Sequence, residues 1–244
     1  GRWALHQIVN SPRFRLQHID LATTQHTRRD ELLALAQVAE GDRLLTIDTN
    51  EVAGRVARHP WIAAAKVSRN LPSTLRIELS ERKPVAAVAL DGLYLVDESG
   101  RPFKRARMDE ADGLPIFTGI AREPFAKQPE AGAAVFREAL AVVNEYHARP
   151  GRPALSEVNL DARFGFSLVL LDGGAEVRLG HGEIGKKLAR FDQILEAVSK
   201  ENLGGLPAVR IVNLDLDGGR VPVLLRARDG DAASTQVPTK PAKN

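Results

Sequence analysis

Between Thr74 and Arg82 apolar and polar side chains alternate without interruption, with Leu75, Ile77 and Leu79 on one face and Arg76, Glu78 and Ser80 on the other. A period of two means a strand with one face buried and one wet. Such a strand must be covered, and the preceding residues supply the cover. After Thr27, Leu32, Leu35, Ala36 and Ala39 fall on one helical face within Arg28 to Ala39, with Gly41 as the stop. A second helix starts at Asp48, whose carboxylate can accept from the free amides of the first turn, with Glu51 three residues on as in a capping box. Val52, Ala53, Val56 and Ala57 form its buried stripe, and His59-Pro60 ends it. Phe14 to Leu21 read as an earlier strand and Ile62 to Arg69 as a later one, with turn residues Asn70-Leu71-Pro72-Ser73 before Thr74. The block is β-α-α-β-β, and Trp61 is expected to anchor its core.

After Pro84 the pattern changes. Val85 to Val88 and Leu93 to Val96 are short strands, and Glu98-Ser99-Gly100 is a turn. Residues 105–132 carry Pro and Gly and little periodicity. Val135 to His147 is a helix with Phe136, Leu140, Val143 and Tyr146 on one side. Strands follow at 155–160, 164–171 and 175–179, the last two joined by the tight turn Asp172-Gly173-Gly174. Glu183 to Lys200 is an amphipathic helix built on Ile184, Leu188, Phe191, Leu195 and Val198. Ala208 to Leu214 and Arg220 to Leu225 are the final strands, and from Asp229 the polar, Pro-containing tail is expected to be disordered.

Composition excludes several function classes. Of 244 residues 43% are hydrophobic and 27% charged, so a core can form. Lys and Arg number 34 against 31 Asp and Glu, and the two signs are interleaved, which is no footprint for nucleic acid. There is no cysteine, hence no disulfide framework, thiolate zinc site or cysteine nucleophile. Neither a signal peptide nor an apolar run near the ~20 residues of a membrane helix is present. The chain opens Gly1-Arg2-Trp3 without an initiator Met and is expected to be part of a longer protein.

One segment imitates a nucleotide site. Gly180-His181-Gly182-Glu183-Ile184-Gly185-Lys186 matches G-x-G-x-x-G and nearly matches a phosphate loop. The phosphate loop needs a hydroxyl after its lysine, and Lys187 stands there. The dinucleotide motif needs a parallel βαβ unit with an acidic residue about 20 positions on, whereas here a loop, Asn202-Leu203-Gly204-Gly205, follows and the preceding strand sits in an antiparallel hairpin. A glycine-rich strand-to-helix turn is expected instead. The six histidines show no metal-ligand spacing, and no G-x-S-x-G elbow occurs. No catalytic residue, cofactor or metal is assigned.

Several segments carry a family resemblance. Gly41-Asp42-Arg43-Leu44-Leu45-Thr46-Ile47-Asp48, His59-Pro60-Trp61-Ile62, Lys66 to Leu75 and Glu81-Arg82-Lys83-Pro84-Val85-Ala86 together resemble a POTRA domain of the FtsQ/DivIB kind. Gly92 to Phe103 is similar to that family's "Y-x-L-V-D-x-x-G-x-x-F" hairpin, and Leu179-Gly180-His181-Gly182 with Lys187-Leu188-Ala189-Arg190-Phe191 to its "L-G-x-G … K-L-x-R-F" segment. Val212-Asn213-Leu214-Asp215 departs from "V-D-L-R" at Asn213 and Asp215.

The resemblance implies an α+β chain with a membrane-proximal segment at 1–11, a POTRA domain at 12–83, a larger β-rich domain at 84–227 with antiparallel or mixed sheet and flanking helices, and a disordered tail at 228–244. It implies a non-catalytic divisome scaffold anchored by an N-terminal membrane helix, with this portion periplasmic at the septum. The implied partners are the FtsB/FtsL pair (DivIC/FtsL in some bacteria) on the last strand and other divisome proteins on the POTRA domain; a POTRA docking module of a translocation or secretion system is the rival reading. Pro222 cannot donate a ladder hydrogen bond, so the last strand is expected at a sheet edge, where a partner strand would satisfy it. The expected contacts are Val221, Val223, Leu224 and Leu225, then Gly218, Gly219, Arg220 and His181, with Lys66, Ser68 and Arg69 in the POTRA domain.

Overall fold

The computed structural model describes residues 11–22, 24–120, 127–200, 206–216, 220–226 and 234–239. The chain divides into two compact units, Gly1–Lys83 and Pro84–Asn244.

The first unit is a three-stranded sheet under two helices. β1 (His18–Leu21), α1 (Arg29–Ala36), α2 (Thr49–Val56), β2 (Ile62–Asn70) and β3 (Thr74–Glu81) follow in order. β3 is central, parallel to β1 and antiparallel to β2. The alternation at Thr74 has its expected effect: Leu75 and Ile77 are fully buried against Leu32, Ala36, Val52 and Val56. Asp48 caps α2 through Oδ1, which accepts from the amides of Asn50 and Glu51 at 2.9 and 3.1 Å. α1 stops before Gly41, at Ala36, because Gln37 turns left-handed (φ 51°). The Ala36 carbonyl accepts from the Arg55 guanidinium of α2, which ties the two helices together.

The second unit is a ten-stranded mixed sheet in the order β13-β12-β11-β10-β9-β8-β7-β4-β5-β6. Its strands are β4 (Pro84–Ala89), β5 (Leu93–Asp97), β6 (Pro102–Arg105), β7 (Ile116–Thr118), β8 (Leu155–Asp161), β9 (Gly165–Leu170), β10 (Glu176–Gly180), β11 (Val209–Asn213), β12 (Arg220–Leu225) and β13 (Ser234–Pro238). α3 (Pro129–His147) and α4 (Ile184–Lys200) lie against each other, and their apolar stripes pack into the same core as the sheet. The α+β architecture agrees with the expectation from sequence.

Three features differ from it. β7 arises within residues 105–132, parallel to both β4 and β8, and buries Phe117 completely. Three residues are too few to display an alternation. The tail also forms a strand: β13 pairs antiparallel with β12 from Arg220↔Pro238 to Leu224↔Ser234. Only Val237 of its five residues is sunk in the core, so its sequence shows no apolar period although its backbone is paired. Finally, β10-α4-β11 is a parallel crossover. A strand has two edges, and β10 is antiparallel to β9 on one while parallel to β11 on the other.

A buried ion cluster ties the loop after α3 to α4. Arg152 grips Asp192 with two hydrogen bonds, Nε to Oδ1 at 2.8 Å and Nη2 to Oδ2 at 2.9 Å, and Arg149 adds a third at 2.7 Å. Burial works against ionisation of Asp192, but the hydrogen bonds and charges of the two arginines outweigh it and hold the carboxyl below the usual carboxylate range. A depressed folded pKa stabilises above the unfolded value near ~4, and the contribution is lost as pH falls through the folded value. Asp192→Asn is expected to cost about 3 kcal/mol at neutral pH, since it leaves the buried Arg152 guanidinium without its carboxylate. Urea unfolding across pH should show this difference closing below about pH 4.

Candidate functional site

Most of the motif residues turn out to hold the framework together. Glu81 accepts from the amides of Gln25 and His26 at 3.1 and 3.0 Å, and the His26 ring stacks on Trp61 at 3.9 Å between centroids. Trp61 is buried, as expected of a core anchor. Burial alone would raise the Glu81 pKa, but these backbone donors bring it below the usual range. Asp97 is buried where β5 turns into β6, and its Oδ1 accepts from Ser99 and Arg101 amides at 2.9 and 3.2 Å.

The glycine-rich segment is a latch. Lys187 is buried, and its ammonium donates to the Leu179 and His181 carbonyls at 2.6 and 2.8 Å and to Asp215 Oδ1 at 3.1 Å. Gly180 has φ 65°, and a Cβ there would strike the Asp215 carboxylate. Lys186, at the lysine position of the phosphate-loop motif, is exposed and pairs with Glu183 at 2.6 Å. The strand before this loop does open a parallel crossover, contrary to the expectation from sequence, but the loop itself is closed by the contact of Lys187 with Asp215. Asp215, which departs from the family pattern, has a structural partner in Lys187.

With the motifs accounted for, backbone edges are left as candidate docking surfaces. Among the described residues of its own sheet, β2 is paired on one side only, by β3. Lys66 is exposed and 3.8 Å from Glu78, while Ser68 is half-buried. Arg69 is engaged at home: its guanidinium donates to the Leu44 and Ile47 carbonyls at 3.1 and 2.5 Å.

At the other edge the expectation for the last strand needs correction. β12 lies one strand in, between β11 and β13. Val221 and Val223 point into the core and are fully buried, and Leu225 packs against the same core. Leu224, half-buried, lies on the opposite face with Pro222. Arg220 is exposed; Gly218 and Gly219 lie outside the described residues.

The start of β12 shares one end of the sheet with the end of β10, so Arg220 and exposed His181 come to the same end. His181 also rims a cavity of about 640 Å³ lined by Ile120, Val135, Leu160 and Phe166. Phe164 and Leu216, 64% and 53% exposed, stand at that end too. Sequence reading missed them because an apolar residue beside a strand looks like core.

Among the described residues no group of three His, Cys, Asp or Glu is placed to hold a metal, and no helix is long and apolar enough to cross a membrane.

Changing Gly180→Ala is expected to destabilise by more than about 2 kcal/mol, through the left-handed backbone and the collision together. In an Asp215→Ala background the same change should cost only the backbone part, about 1–2 kcal/mol. A double-mutant cycle by urea unfolding measures the difference.

Comparison with known proteins agrees with the motif resemblance. Residues 14–82 match the FtsQ-type POTRA domain, and residues 86–216 match the C-terminal domain of cell division protein FtsQ/DivIB. A cell division protein FtsQ of Anaeromyxobacter sp. (strain K) is 41% identical over 189 residues, covering 77% of this chain and 62% of that protein. The match therefore spans less than two thirds of that relative's length. Two further proteins of the same name, from Myxococcus fulvus and Geobacter sp. (strain M21), are 36% and 31% identical, over 85% and 88% of this chain and 72% and 78% of theirs.

Proposed function

The chain belongs to the FtsQ/DivIB family of cell division proteins, and from that membership we propose that it is a non-catalytic docking scaffold of the divisome. The role is to hold an FtsB/FtsL-like partner at the β12 side of the large sheet, and further division proteins at the β2 edge, so that septal peptidoglycan synthesis is coordinated. The protein would act from the periplasmic face of the inner membrane at the septum, held by a membrane helix outside this sequence.

The observation that carries this reading is the placement of strand edges. A sheet edge presents a row of backbone donors and acceptors, and an added strand satisfies them. Each sheet ends in such an edge, at β2 in one unit and at β13, laid against β12, in the other. Leu224 is the apolar side chain of β12 on the face away from the helices, free to lend side-chain specificity to a backbone contact. The clusters that resemble enzyme machinery are bound up in turns, as Lys187 and Asp215 are.

The test is binding of a fluorescent peptide from the C-terminal extracytoplasmic part of the cognate FtsB-like protein. Leu224→Asp is expected to weaken binding by about tenfold or more, the loss of one apolar contact at an interface centre. Lys66→Glu should leave this peptide unaffected while weakening a POTRA partner. Unchanged binding in Leu224→Asp, with circular dichroism unaltered, would move the site off β12.

A further inference from the structure

We propose that β13 is a built-in occupant of the partner's place on β12, so that docking proceeds by strand exchange. This rests on the docking reading above and adds a regulation to the same edge. β12 can pair with only one strand on the side away from β11, and β13 holds that side over five residues. A second strand cannot use those backbone groups until β13 leaves.

The hold is of the kind that can be exchanged. β9, inside the sheet, buries Phe166, Leu168 and Leu170, whereas β13 buries Val237 alone among its five residues. Beyond it Thr239 is buried, and its hydroxyl lies 3.4 Å from Arg190 Nε of α4. Only residues 227–233 separate Arg226 from Ser234, which keeps the local concentration of β13 high. Weak contacts at high effective concentration make an occupant that is present by default and removable by a better strand.

β13 also reports what a replacement must look like. Val237 sits opposite Val221 and reaches the core, while Gln236 opposite Pro222 and Ser234 opposite Leu224 point the other way and are exposed. The incoming strand therefore runs antiparallel to β12, places an aliphatic side chain opposite Val221, and carries a residue able to cover Leu224 where β13 offers only Ser234.

The chain has no cysteine, which permits a clean lock. Pro222→Cys with Gln236→Cys joins a directly opposed pair of β12 and β13 and leaves Leu224 in place. In full-length protein the oxidised form should lose the FtsB-like peptide, and reduction should restore binding. Separately, Val237→Asp expels β13 without touching β12, and should tighten binding on the order of tenfold by removing the internal competitor. Faster amide hydrogen exchange along β12 in that variant would show that the strand has left. Binding that is equal in oxidised and reduced forms, or unchanged in Val237→Asp despite that exposure, overturns the proposal while the docking reading stands. Absence of binding in every form overturns the docking reading and this proposal together.

Discussion

The parallel pairing of β7 with β4 on one edge and β8 on the other makes one sheet out of what would otherwise be two. β4, β5 and β6 form a meander on one side, and β8 to β13 extend on the other. Phe117, at the middle of β7, is fully buried and stacks on Phe136 of α3 with centroids 6.1 Å apart. The same three residues thus join the sheet laterally and seat a helix upon it. Everything out to β12 takes its position from that join, because each later strand is placed by its hydrogen bonds to the one before.

Legibility in the sequence followed the physics of each element. β3 was readable because its two faces meet different environments, core on one side and water on the other. α2 and α4 were readable because a helix burying one stripe repeats every 3.6 residues. β7 was not, since a strand of three residues between two neighbours has no pattern long enough to register. β13 escaped for the opposite reason: its polar sequence is compatible with water, and its place is fixed by main-chain pairing and a single valine. The parallel neighbour of β10 was equally hidden, because a hairpin turn reveals one partner of a strand and says nothing of the other.

The docking region shows the same division. The residues expected at the contact for their apolar character, Val221 and Val223, serve the core, since a strand one layer from a helix spends one face there. Leu224 remained accessible by the alternation of the same strand. The family motifs proved to be the means of holding turns in place: Glu81 on the loop before α1, Asp97 at the β5–β6 turn, Lys187 at the start of α4. A motif is easiest to recognise where chemistry demands one residue type. An edge demands only an extended backbone, which many sequences supply.

The exposed charges of β2 bear on how a molecule that carries an open edge avoids its own kind. Two copies meeting edge to edge in a symmetric antiparallel register centred on Lys66, on Arg69 or midway between them would set cation directly against cation, which is unfavourable. A strand from another protein that brings a carboxylate to the same position meets no such penalty. In those registers the edge avoids its own kind without being closed: the same charges that oppose an identical strand discriminate in favour of a different one.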